Sequence, residues 1–213
     1  MNKLRNYKTL ILTAFIALTF NACKKDSPTP EVPEEEIGKA ELTFLEVVRE
    51  VHGDHYHYNE IAGAEPLKVA FDASGLAPVG THAHLTEGKT YKVTLKSFDF
   101  AGREMEAEFV EKHDLHQAFI LGAPAGVLTY AYGDRDKDNK KVNVGVTGYL
   151  TVNEHTATGF TFRYVLRHLN PGVKASITAE NWNDIDFSSK FAGANDLDLK
   201  FEMHLVEAGG HDH

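Results

Sequence analysis

The stretch "VNVGVTGYLTV", residues 142–152, decides the fold class. Val142, Val144, Val146, Leu150 and Val152 recur with a period of two, so they share one face of an extended chain. The next run, "GFTFRYVLRH" at 159–168, repeats the pattern, with Phe160, Phe162, Tyr164 and Leu166 inward and Thr161, Arg163 and Arg167 outward. "LDLKFEMHLVE", 197–207, does so again with Leu197, Leu199, Phe201, Met203 and Leu205. Shorter strand candidates are "ELTFLEVV" (41–48), "LKVAFD" (67–72), "KTYKVTLKSF" (89–98), "EMEAEFVE" (104–111), "QAFILG" (117–122) and "VLTYAY" (127–132). Nine strands joined by turns rich in Gly, Asp and Asn, with no long amphipathic helix, predict an all-β, antiparallel β-sandwich of immunoglobulin-like type. A jelly roll or small barrel remains the alternative, because strand order is not written in the pattern. "NEHTATG" (153–159) reads as a hairpin connection, and "NPGVKASITAENWNDIDFSSKFAGAND" (170–196), which has no regular period, as a long crossover.

Outside this region the composition changes. "MNKLRNYK" carries three positive charges and precedes the apolar run "TLILTAFIALTF", the layout of a secretory signal and too short for a membrane span. Cys23, the only cysteine, follows Phe20, Asn21 and Ala22 at the end of that run. This junction resembles the lipobox of bacterial lipoproteins, which implies lipidation at Cys23; Phe20 departs from the smaller aliphatic usual there. "KKDSPTPEVPEEEIGK" (24–39) is too polar and proline-rich to build a core and reads as a tether. The start "CKKD" resembles the tag behind the lipidated cysteine of Bacteroidota outer-membrane lipoproteins. The expected organisation is therefore a signal peptide at 1–22, lipidated Cys23 and tether at 23–39, one sandwich domain at 40–207, and a histidine-containing tail at 208–213.

Removing the signal leaves 19 of the 22 basic residues against 31 acidic ones, a net charge near −12. Such a surface disfavours nucleic acid and anionic membranes and favours cations, so membrane contact is expected through the N-terminal lipid only.

Twelve histidines supply the candidate chemistry. In "HGDHYHY", His55 and His57 share one side of an extended chain, and Gly53 lets the chain turn so that His52 approaches them. Three neutral imidazoles suit zinc with a fourth position open. The spacing His-x-x-His-x-His resembles the histidine-triad motif of zinc-binding surface proteins of streptococci, which implies that His52, His55 and His57 are ligands. The alternative is a polar loop anchored by Tyr56 and Tyr58. His113 and His116, three apart in "EKHDLHQAF", are candidates to complete that shell or to form a second site, with Asp114 as an orienting partner; otherwise they belong to a charged turn. His82 and His84 form a pair suited to Zn or Cu(II), too few alone for tight binding. His155 and His204 read as surface residues. His168 continues the inward phase of its strand and reads as a buried core-edge histidine, or as facing a site at the mouth of the sandwich. His211 and His213 lie in the tail. Asp134, Asp136 and Asp138 alternate as calcium ligands can, but Gly145 stands where an EF-hand needs its bidentate Glu, so a polar hairpin tip is expected.

No nucleophile elbow, phosphate loop or His-Glu-x-x-His helix is present. More broadly, His116 and Gln117, then Tyr132, Asp134 and Asp136, then Leu166, Arg167 and His168 resemble a family of uncharacterised Bacteroidota lipoproteins. The resemblance implies a β-rich lipoprotein domain associated with outer-membrane receptors. The expectation is thus a non-enzymatic, lipid-anchored, outer-membrane protein, facing periplasm or cell surface, that binds zinc, with copper as the other candidate, and passes it to a receptor or transporter. An adhesion module and a metal-dependent hydrolase are the alternatives.

Overall fold

The structure is a computed structural model and describes residues 37–209. The signal peptide, Cys23, most of the tether, and His211 and His213 lie outside the described residues. Ten strands form two packed sheets. The first sheet contains β1 (Ile37–His52), β2 (His55–Glu60), β3 (Leu67–Phe71), β5 (Thr90–Asp99), β7 (Leu128–Tyr132) and β8 (Thr147–Val152), in the order β2-β1-β5-β8-β7, with β3 also paired to β1. The second runs β4-β10-β9-β6, from β4 (His82–Thr86), β10 (Gly193–Val206), β9 (Phe160–Leu169) and β6 (His116–Leu121). The predicted all-β sandwich is what folds.

The period-two residues make the core. Leu42 and Phe44 from β1, Val93 and Leu95 from β5, and Leu150 and Val152 from β8 face Phe162, Tyr164, Leu166, Leu199, Phe201 and Met203 across the sandwich. Phe162 sits at its middle, with ring centroids 5.9 Å from Phe44 and 5.2 Å from Phe201. These are edge-on and tilted contacts of the kind aromatic quadrupoles favour.

Several local expectations fail for identifiable reasons. "EMEAEFVE" is not a strand: Glu106–Glu111 is a short helix, because Met105 and Phe109 lie four apart on its packed side. Glu106 and Glu108 occupy its first turn, where the peptide dipoles favour negative charge, and Glu108 pairs with Lys112. In "VNVGVTGYLTV" only Thr147–Val152 is strand. Val142, Val144 and Val146 stay inward, but the carbonyls of Val144 and Val146 go to different sheets: Ala118 N–H donates to Val144 O at 2.6 Å and Leu95 N–H to Val146 O at 2.8 Å. Not every pairing is antiparallel either, since β4 runs parallel to β10. The first strand starts at Ile37, three residues inside the expected tether.

The crossover is ordered by packing. Its 3-10 turns (Val173–Ser176 and Ala179–Asn183) and one-turn helix (Phe187–Lys190) bring Ile177, Phe187 and Phe191 onto Phe119, Leu121, Val165 and Leu169. That apolar set lies on the outer face of β6 and β9, so these two strands are buried on both sides. Among the described residues no helix is long and apolar enough to cross a membrane.

Replacing Phe162 with Ala should cost about 3–5 kcal/mol, read as a fall in the urea midpoint at unchanged slope. A loss below about 1 kcal/mol would mean that the two sheets do not depend on this contact.

Candidate metal centre

The β6–β9 ladder sets His116 directly opposite His168, on the face that Ala118, Ile120, Tyr164 and Leu166 turn to the core. The two rings pack edge to face with centroids 4.6 Å apart, and Phe109 of the short helix covers His116 at 5.1 Å. A third group arrives from β10. Its register with β9 slips between Asn195 and Leu197: Asn195 is opposite Arg167 and Leu197 opposite Leu166, so Asp196 is an extra, unpaired residue. A bulge of this kind re-aims one side chain. Here it turns Asp196 inward, with a carboxylate that has no solvent exposure.

Arg167 holds the bulge. On the outer face its guanidinium donates to Asn195 Oδ1, Gly193 O and Phe191 O, each at 2.8 Å, and lies over the Phe187 ring. Five N–H donors in a planar fork suit it to gather carbonyls in this way.

Around Asp196 the electrostatics are one-sided. His116 Nε2 lies 3.3 Å from Oδ2, and His168 Nδ1 3.7 Å from Oδ1. No hydrogen bond reaches either carboxylate oxygen from the described residues. His116 Nδ1 faces Lys112 O at 3.0 Å. A carbonyl only accepts, so Nδ1 carries the proton, and in the neutral ring Nε2 presents a lone pair to a carboxylate. Two electron-rich atoms buried this close call for a cation between or on them, a proton or a metal ion. Donors bound at about 2.0 Å to a tetrahedral ion stand about 3.3 Å apart, the His116–Asp196 separation. Among the described residues, His116, His168 and Asp196 are the one group of three such donors whose ligand atoms all lie within 4.8 Å of one another. This buried His-His-Asp group can hold a metal ion.

The hairpin histidines gather elsewhere. His52 pairs with His55 and Glu50 with His57 across β1 and β2, which puts all three imidazoles on one face of an exposed two-stranded arm. Gly53, at φ 62°, makes the two-residue turn. Ring centroids are 4.4 Å (His52–His57), 5.0 Å (His55–His57) and 6.4 Å (His52–His55), and His55 Nε2 lies 3.1 Å from His57 Nε2. On the other face Tyr58 stacks on Tyr149 at 3.7 Å and Arg49 lies over Tyr56. His116 does not complete this set, because β6 belongs to the other sheet, where it faces His168 and Asp196. His113 lines a separate groove with Glu106, Glu111, Asp134 and Asp136.

A polar interior adjoins the centre. Asp134 is not at a hairpin tip: it is buried and accepts from Gly145 N–H at 2.6 Å and Thr147 N–H at 2.8 Å. Burial pushes its carboxyl up to about 6, against those backbone donors and the nearby Lys174. Lys174, in turn, donates to His116 O at 2.5 Å and Asn143 O at 2.6 Å, and burial pushes it down to about 7. Tyr164 and Tyr130 place their hydroxyls toward Gly145 O, and burial pushes both well above the usual phenol range. Asp136 caps the turn, accepting from Asp138 N–H at 2.9 Å and Lys140 N–H at 2.8 Å, so Asp134 and Asp136 have separate roles.

No protein-family model matches the chain, and no curated protein is significantly similar to it.

The raised Asp134 pKa has a definite sign. Between the ordinary carboxylate value of 3.8 and about 6, the native state holds a proton that the unfolded chain has released. Stability tied to protonated Asp134 is complete below pH 3.8 and lost as pH rises through 6. Urea unfolding at steps from pH 4 to 7 should show wild type losing roughly 2 kcal/mol relative to Asp134→Asn across that window. A constant difference would place the proton elsewhere.

Proposed function

We propose that this protein is a transition-metal-binding protein of the bacterial cell envelope, lipid-anchored through Cys23, that holds zinc at His116, His168 and Asp196. It acts as a binding protein rather than an enzyme, buffering the ion or delivering it to an outer-membrane or periplasmic partner. His52, His55 and His57 on the hairpin form an outer site in faster exchange with solvent. The observation that carries this reading is the buried carboxylate facing two imidazoles at 3.3 and 3.7 Å, with one ligand atom of each group within 4.8 Å of the others. The acidic surface supports it by concentrating cations. Copper fits the donor set less well, since one hard oxygen replaces a third nitrogen or sulfur.

A second reading has its own support: the hairpin presents Val48, Val51 and Tyr56 to solvent beside the unpaired edge of β2, as an interaction module would. Partner capture that survives chelation would favour it.

Calorimetric zinc titration of residues 24–213 tests the first reading. Two classes of site are expected. Asp196→Asn should weaken the tighter class by at least about 100-fold, while changing His52, His55 and His57 together to Ala should lower only the stoichiometry of the weaker class. Wild-type affinity retained in Asp196→Asn would refute the buried centre. Zinc at about 100 times its Kd should also stabilise wild type by about 2.7 kcal/mol in urea, and Asp196→Asn by much less.

Each ligand nitrogen must be deprotonated, so affinity should fall between pH 7.5 and pH 5. An unchanged Kd over that range would exclude histidine ligation.

A further inference from the structure

We propose that His82, His84 and His204 form a separate, solvent-facing site for a divalent transition-metal ion on the outer face of the second sheet. The sequence alone offers only the pair His82 and His84. The third member comes from the parallel pairing of β4 with β10, which sets His204 beside His84 and Glu202 beside His82. Ala83, Leu85, Met203 and Leu205 point to the core, which sends all three histidines outward.

Ring spacing is the first argument. Imidazoles bound through one nitrogen to a tetrahedral ion have centroids about 3.2 Å from the ion and therefore about 5 Å from one another. Here the separations are 5.1 Å for His82–His84, 5.1 Å for His84–His204 and 6.0 Å for His82–His204. A shared ion would draw one nitrogen of each ring toward a common point from these positions.

Tautomer is the second argument. His82 Nδ1 faces Gly80 O at 3.0 Å, and His204 Nε2 faces Glu202 Oε1 at 3.0 Å. Both partners only accept, so in the neutral rings those nitrogens carry the protons, leaving His82 Nε2 and His204 Nδ1 as lone pairs. A carboxylate or carbonyl on the far nitrogen is the usual support of a metal-binding histidine. Space for this arrangement is kept by Gly159, where a Cβ would stand 2.7 Å from the His204 ring and 2.9 Å from Glu202 Oε1.

The proposal rests on the metal-binding reading only for the kind of ligand, and none of its residues is shared with the buried centre. The test is zinc titration of residues 24–213 followed by long-range proton–nitrogen NMR of the histidine rings. His82, His84 and His204 should move as one saturating set. His84→Ala should weaken the response of His82 and His204 at least about tenfold, and Gly159→Ala should weaken it while leaving His82 in place. Independent or absent shifts of the three rings would overturn the proposal, whatever His116 and His168 do. Should His84→Ala unfold the sheet, the exposed His82→Ala variant reads the same coupling from the other end. Movement of this set without movement of His116 and His168 would support the surface site while refuting the buried one.

Discussion

The ladder between β9 and β10 is the constraint on which the other features depend. β10 runs the length of the second sheet, antiparallel to β9 on one side and parallel to β4 on the other. Its alternation buries Leu197, Leu199, Phe201, Met203 and Leu205, so the strand cannot slip by one residue without exposing the core. A single extra residue is accommodated at one end, and Arg167 clasps the backbone and Asn195 around it. Register on one side of this bulge is thus fixed by apolar burial, and on the other by a buried guanidinium.

This arrangement carries an electrostatic cost. Asp196, Asp134 and Lys174 are ionisable groups buried in a largely apolar sandwich, and each loses hydration that its neighbours restore in part. Asp134 has backbone donors, and Lys174 has the carbonyls of His116 and Asn143. Among the described residues Asp196 faces only the two imidazoles, which can donate to it when protonated but not through a lone pair. The contrast singles out Asp196 among the buried charges: its neighbours can share a cation with it but, as neutral rings, do not replace one.

Much of the architecture was legible because burial on one face imposes a period of two, as in Phe160 to Leu166 and Leu197 to Leu205. The short helix at Glu106–Glu111 was not, since Met105, Ala107 and Phe109 satisfy alternation while Met105 and Phe109 also satisfy a helical spacing, and only packing decides. The candidate centre was legible in part. His116 stood out as a ligand candidate and His168 by its inward phase, but their pairing depends on β6 lying beside β9, which no local pattern encodes. Asp196 was invisible for a stronger reason: it sits where the alternation breaks, in a segment that reads as irregular until Arg167 orders it. The hairpin triad was the most legible group, because all three of its imidazoles come from one turn. His204 joined His82 and His84 only through a parallel pairing between distant strands.

That distance has a kinetic meaning. His116, His168 and Asp196 come from three separate strands, and the pairing of β4 with β10 joins residues far apart in the chain. Contacts of such long sequence separation close late and slowly in folding. The centre therefore does not exist until the second sheet is complete, and a metal ion cannot nucleate the fold as it does in a zinc finger. The hairpin is the opposite case, a local turn whose imidazoles are near one another from the start. Topology thus separates the two groups: the arm needs only its own turn, whereas His116, His168 and Asp196 meet only once the second sheet is built.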